Sequence, residues 1–179
     1  IAEILKENGY NTFAVGKYGV TPDEENNDAG PFDHWPSAKG FEHFFGFLGS
    51  QTDQYKPDLA EDNVKVKTDG RHLSEQITDK AITYIDRQKK AAPDKPFFLY
   101  YAPAAVHAPH QVAKSWIDQY KGKFDEGWDV YRERVFAQQK ELGVIPANAV
   151  LPARNQNIKA WKNLPVEEKK LYARFMEVY

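Results

Sequence analysis

Tyr10-Asn11-Thr12-Phe13-Ala14-Val15-Gly16-Lys17 is the stretch whose reading decides the fold. Its first six residues have strand composition, and Gly16-Lys17 follows them at once. Ahead of it, residues Ile1 to Asn8 put Ile1, Ile4 and Leu5 on one stripe of a short amphipathic helix. Gly9 ends that helix as a left-handed cap. Helix, glycine, strand, loop is the rhythm of an α/β sheet. Pro96-Phe97-Phe98-Leu99-Tyr100-Tyr101 repeats the signal: a continuous apolar run after a turn reads as a strand buried on both faces. Between them, residues 74 to 91 form the clearest helix, with Leu73, Ile77, Ala81, Tyr84 and Ile85 on one face. Ser74 is its expected N-cap, and Pro93-Asp94 ends it. A helix between such strands is a parallel crossover.

Outward from this frame, residues 18 to 40 form a polar Gly/Pro/Asn-rich loop, of a length that tends to be functional or mobile. Phe41 to Leu48 is aromatic enough for a strand or a buried turn, and its Phe cluster reads as core. Gln51 to Asp62 reads as loop. Asn63 to Lys67 alternates like an edge strand with Lys outward. Residues 112–120, 128–142 and 165–179 read as helices, and Pro146 to Asn163 is irregular. The expectation is an α/β part over 1–110 and a mostly helical insertion over 111–179. A chain whose first and last residues lie inside helical patterns reads as a segment of a longer protein.

Composition removes several function classes. The 179 residues carry 24 basic and 26 acidic side chains, with both signs interspersed. That balance argues against a nucleic-acid binder held by phosphate neutralisation. With no Cys, there is no disulfide scaffold, thiolate zinc site or Cys nucleophile here. No apolar run is long enough to span a bilayer, and no signal peptide is visible. The 11 Phe, 10 Tyr and 4 Trp speak for a folded core. Neither phosphate-binding glycine loop nor a G-x-S-x-G elbow occurs.

Two residues stand where open α/β sheets carry chemistry, just past the carboxyl ends of strands. Lys17 follows Gly16, and its ammonium suits an oxyanion as a compact point charge. His107 follows the second strand and suits binding or proton transfer. His110, three residues on, is a weaker binding candidate, with a turn or capping role as the alternative. H-x-x-H with no carboxylate or thiol at a ligand spacing is a poor metal pair. His34, His43 and His72 read as structural or surface residues. Asp53-Gln54 reads as a satisfied turn, with support of a site loop as the alternative. The charged runs over 132–141 and 167–170 read as solvated helix faces.

At these residues the chain resembles the sulfatase family. Ile1 to Lys17 is similar to the helix and strand that lead into the family's G-K-W-H motif. Gly30-Pro31-Phe32-Asp33-His34-Trp35-Pro36 and residues 40–49 resemble the segment that follows in bacterial arylsulfatases. Residues 96–103 with His107-Ala108-Pro109-His110-Gln111 resemble the sulfatase strand and its H-x-P loop. The stretches 114–146 and 171–177 are similar to the arylsulfatase helices. The resemblance implies an alkaline-phosphatase-like sheet flanked by helices, incomplete in this piece. It also implies a sulfuric ester hydrolase acting on sulfate-ester small molecules or sulfated glycans. A formylglycine nucleophile and a calcium ion are implied, with the modified residue and the metal ligands outside the segment. So is a periplasmic or extracellular setting. Carried over residue by residue, Lys17 would bind sulfate charge, and His107 would bind the ester or protonate the leaving oxygen.

Two departures bear on activity. The motif reads Gly16-Lys17-Tyr18-Gly19, so Gly19 stands where the family has His, and no C/S-x-P-x-R occurs. The 179 residues alone are therefore expected not to hydrolyse sulfate esters. If Gly19 is a defect, Gly19→His should raise the intact protein's activity. The competing readings are a phosphodiesterase or phosphonate hydrolase of the same superfamily, and a non-catalytic homologue that binds anions.

Overall fold

β1 (Asn11–Lys17) is the strand around which residues 1–111 are built. A computed structural model describes all residues 1–179 and divides them into two units, Ile1–Gln111 and Val112–Tyr179. In the first, β1 to β5 form one sheet in the order β4-β3-β2-β1-β5. β2 is His43–Phe47, β3 Leu59–Glu61, β4 Val64–Val66 and β5 Phe97–Ala102. β1 runs parallel to both β2 and β5, and the β2-β3 and β3-β4 pairs are antiparallel.

Both faces of β1 are covered, as a central parallel strand requires. Phe13 and Val15 join Phe45, Phe47, Leu73 and Ile77 under α2 (Leu73–Ala91). Ala14 joins Trp35, Phe44, Leu48 and Ala60 on the other side. Trp35 comes from the long polar loop, is fully buried, and donates its indole N–H to the Glu25 carbonyl at 2.8 Å. That loop is thus packed onto the sheet, with short 3-10 turns at Asp23–Glu25 and Pro36–Lys39. Ahead of β1, α1 (Ala2–Glu7) ends at Gly9, whose φ is +87°.

Three local expectations change. Gln51 to Asp62 contains β3, which turns at Asp62 (φ +51°) into β4. Three residues carry too little alternation to announce a strand. β5 is not buried on both faces: it pairs with β1 only, and Tyr100 and Tyr101 are 43% and 42% exposed. An aromatic run signals β structure but not its place in the sheet order. The cap of α2 is His72, whose Nδ1 accepts from the Ser74 N–H at 3.2 Å. Here an imidazole nitrogen takes the role expected of the Ser74 hydroxyl.

The second unit holds α3 (Lys114–Ile117), α4 (Gly127–Glu141) and α5 (Val166–Val178), and no strand. Trp128 packs edge-on against Trp161 at 4.9 Å and Tyr172 at 5.4 Å. Gly127 has φ +76°, and a Cβ there would meet the Trp161 ring at 2.1 Å, so only glycine lets the ring seat.

Candidate active site

The strands end in register. Gly16 pairs with Ala102 on β5 and with Gly46 on β2. A Cβ on Gly16 would lie 1.9 Å from the Ala102 carbonyl oxygen, and a Cβ on Gly46 1.9 Å from that of Gly16. The glycines let three backbones close up at the carboxyl edge of the sheet. Lys17 is the last residue of β1, half-buried, and its ammonium makes no ion pair or hydrogen bond within the chain.

Past Lys17 the ladder continues, with Tyr18 N–H donating to Phe47 and Gly19 N–H to Leu48, both at 3.0 Å. Tyr18, where the motif has Trp, packs on Phe41 and Phe44, and burial raises its phenol pKa, with Glu3 and Tyr100 adding to the effect. Gly19 has φ +71°, and a Cβ there would sit 3.1 Å from Lys17 Cε. This changes the expectation for Gly19→His. A histidine at 19 would take a left-handed backbone and press on the lysine.

From β5 the chain passes through buried Ala104 to the exposed His107 and His110. His107 N–H donates to the Ala104 carbonyl at 3.0 Å, and its Nδ1 lies 2.7 Å from the Ala108 carbonyl. A carbonyl only accepts, so the proton belongs on Nδ1 and Nε2 is left for other partners. Lys17 thus ends β1 and His107 lies past the end of the neighbouring parallel strand β5, at one sheet edge, and no hydrogen bond joins them.

The other histidines serve the fold. His34 Nδ1 meets Glu25 Oε1 at 2.7 Å, and His43 packs against Phe13 and Tyr84. Asp53 does more than close its turn. Oδ1 accepts from the N–H groups of Tyr55 and Lys56, and Oδ2 accepts the Gln111 side-chain amide at 2.7 Å. These bonds, the Gln111 amide first, hold the Asp53 carboxyl below the usual carboxylate range. Residue-by-residue reading missed Gln111, although it ends the quoted His107-to-Gln111 run.

No group of three or more His, Cys, Asp or Glu side chains could hold a metal ion, and the chain has no Cys. The residues present therefore do not fit a calcium site or a Cys-derived formylglycine. A cavity of about 810 Å³ lies within the helical unit, where Trp128, Arg132, Arg154, Lys159 and Tyr172 line it together with other side chains. Lys17, His107 and His110 do not border it.

Compared with known proteins, residues 1–177 match the family model described as Sulfatase. The chain belongs to the sulfatase family. This sulfatase chain is 32% identical to an uncharacterized sulfatase of Schizosaccharomyces pombe, across the whole chain and 34% of that relative. It is 31% identical to an arylsulfatase of Klebsiella aerogenes, across the whole chain and 39% of that relative. It thus spans about a third of the length of these relatives. Among solved structures it resembles Ps i-CgsB in complex with k-i-k-neocarrahexaose (TM-score 0.54, 26% identity, 67% of this chain and 29% of that one). It also resembles BT4656 in complex with its substrate D-glucosamine-2-N,6-O-disulfate (TM-score 0.51, 25% identity, 69% and 22%). The sheet flanked by helices is the alkaline-phosphatase-like fold of the sulfatase family.

Proposed function

We propose that the whole protein hydrolyses sulfate esters in the manner of an arylsulfatase, with Lys17 and His107 handling the sulfate ester. The observation that carries the reading is the register Gly16↔Ala102, since Lys17 ends β1 and His107 lies past the end of β5 at the same sheet edge. The unpaired Lys17 ammonium meets sulfate charge where a fixed positive group is most effective. With Nδ1 turned to Ala108, the Nε2–H of a protonated His107 can donate to the leaving oxygen as the S–O bond breaks. His110 is a secondary binding contact. The formylglycine and the calcium that the family resemblance implies would come from residues outside these 179. Residues 1–110 read as part of the catalytic domain and 111–179 as its helical insertion.

The likeness to BT4656 makes a sulfated sugar a natural substrate class to try beside an aryl sulfate. In the intact protein, made with the formylglycine-generating enzyme, Lys17→Ala and His107→Ala should each slow aryl-sulfate turnover by about 10²-fold or more. Near-wild-type rates in both variants would remove the assignment. Gly19 favours a second reading, an anion-binding homologue without turnover. Measurable hydrolysis by the intact protein counts against that reading.

A further inference from the structure

We propose that Gln111 is a positioning residue whose amide, held between Asp53 and Gln54, sets where the His107 ring stands at the sheet edge. The inference rests on the proposed role of His107. His107's own bonds stay inside its loop, to the Ala104 and Ala108 carbonyls. The loop is tied down at its far end instead. The Gln111 amide nitrogen donates to Asp53 Oδ2 at 2.7 Å, and the amide oxygen accepts the Gln54 N–H at 2.8 Å.

The Gln111 carbonyl is 2.9 Å from His72 Nε2. His72 Nδ1 already accepts from Ser74, so Nε2 carries the proton and donates. The Gln54 carbonyl in turn accepts the Leu73 N–H at 2.7 Å. Gln111 is therefore held by the segment that follows β2 and by the start of α2.

The sheet order gives this clamp its meaning. β2 and β5 are not neighbours, because β1 lies between them. At about 4.8 Å per strand spacing, their loops meet across roughly 10 Å, at the end of the sheet where β1 delivers Lys17. The clamp thus fixes the His107 loop to the frame that carries the lysine.

The amide is chemically specific, because it must donate to a carboxylate and accept a backbone N–H at once. Gln111→Glu sets two carboxylates face to face. In Asp53→Asn, the carboxamide keeps its oxygen on Tyr55 and Lys56 and turns its NH₂ on the Gln111 NH₂. Flipping the Gln111 amide only moves that donor clash to Gln54. Only the double variant Asp53→Asn/Gln111→Glu satisfies every group again. In it, the introduced amide at position 53 and the Gln54 N–H both donate to the introduced carboxylate at position 111.

The test uses the intact, formylglycine-loaded protein, with phenyl sulfate (poor leaving group) and 4-nitrophenyl sulfate (good leaving group) as substrates. Each single variant should lose about 10- to 100-fold in kcat on phenyl sulfate, the usual cost of misplacing a reacting group by about 1 Å. The loss should be smaller on 4-nitrophenyl sulfate, and KM should move little. The double variant should recover most of the rate. His107→Ala should show the same leaving-group bias.

If His107→Ala is impaired and the folded single variants are not, the clamp is wrong while the site assignment stands. If His107→Ala is unimpaired, the site assignment itself fails. Should the single variants not fold, the double variant decides. Wild-type-like leaving-group dependence in it supports the clamp, and a folded double variant with a large phenyl-sulfate defect overturns it.

Discussion

At Gly16, two constraints meet in one residue. Its φ is +98°, and a Cβ would collide with the Ala102 carbonyl, which is backbone and cannot swing away. Gly16→Ala should therefore cost at least about 3 kcal/mol, among the larger single-residue effects. The urea midpoint of unfolding measures it, and a shift under about 1 kcal/mol would contradict the close approach of β1 and β5. Gly19→His should lower stability by roughly 1–3 kcal/mol through its left-handed backbone, without raising the intact protein's turnover.

Tyr84 offers the opposite sign. Its ring is buried against Phe13 and His43, but its hydroxyl is buried without a partner. Burial, then Glu61 and Asp62, drives the phenol pKa well upward. Tyr84→Phe removes an unsatisfied group while keeping the ring, so stability should stay level or rise by up to about 1 kcal/mol. A clear loss in thermal unfolding would point to a hydrogen bond at that hydroxyl.

Among the elements, α2 shows why one face of a helix carries its energy. Ile77 is fully buried among Phe45, Leu59 and Leu73, whereas Ile82 is 59% exposed. Ile77→Ala should cost roughly 2–5 kcal/mol, and Ile82→Ala no more than about 0.5 kcal/mol. Equal effects from the two would refute the packing of α2 on β1 and β2. Helical periodicity named this face correctly, because an amphipathic stripe is a local property. The cap escaped it, since His72 qualifies only through where its ring turns. β5 shows the same limit, because an apolar run carries no information about its neighbours.

Over the whole molecule, acid is the relevant stress. Asp53 and Asp69 in the first unit, and Asp118, Asp129 and Glu177 in the second, are held below their ordinary pKa. The causes are hydrogen bonds: Gln111 for Asp53, Arg71 for Asp69, Lys114 for Asp118, the Trp161 N–H for Asp129, Arg174 for Glu177. A lowered folded-state pKa stabilises the fold above the ordinary carboxylate range. That contribution fades as pH falls through the lowered values. Stability from these groups should be level near neutrality and drop below about pH 4. Chemical denaturation at a series of pH values measures this. Stability that rises as pH falls from 5 to 3 would contradict these bonds.

The α/β class, α2, the first strand with its Gly16-Lys17 terminus and the motif order that marks a sulfatase were all legible in the order of residues. They rest on local composition, periodicity and short spacing, which a chain carries without folding. Sheet order, the edge position of β5, the hidden β3 and the clamp of Gln111 on Asp53 came only with tertiary structure. Each depends on which distant segments become neighbours. Asp53 and Gln111 lie 58 residues apart, and no local pattern sets the meeting of a donor and an acceptor across that separation.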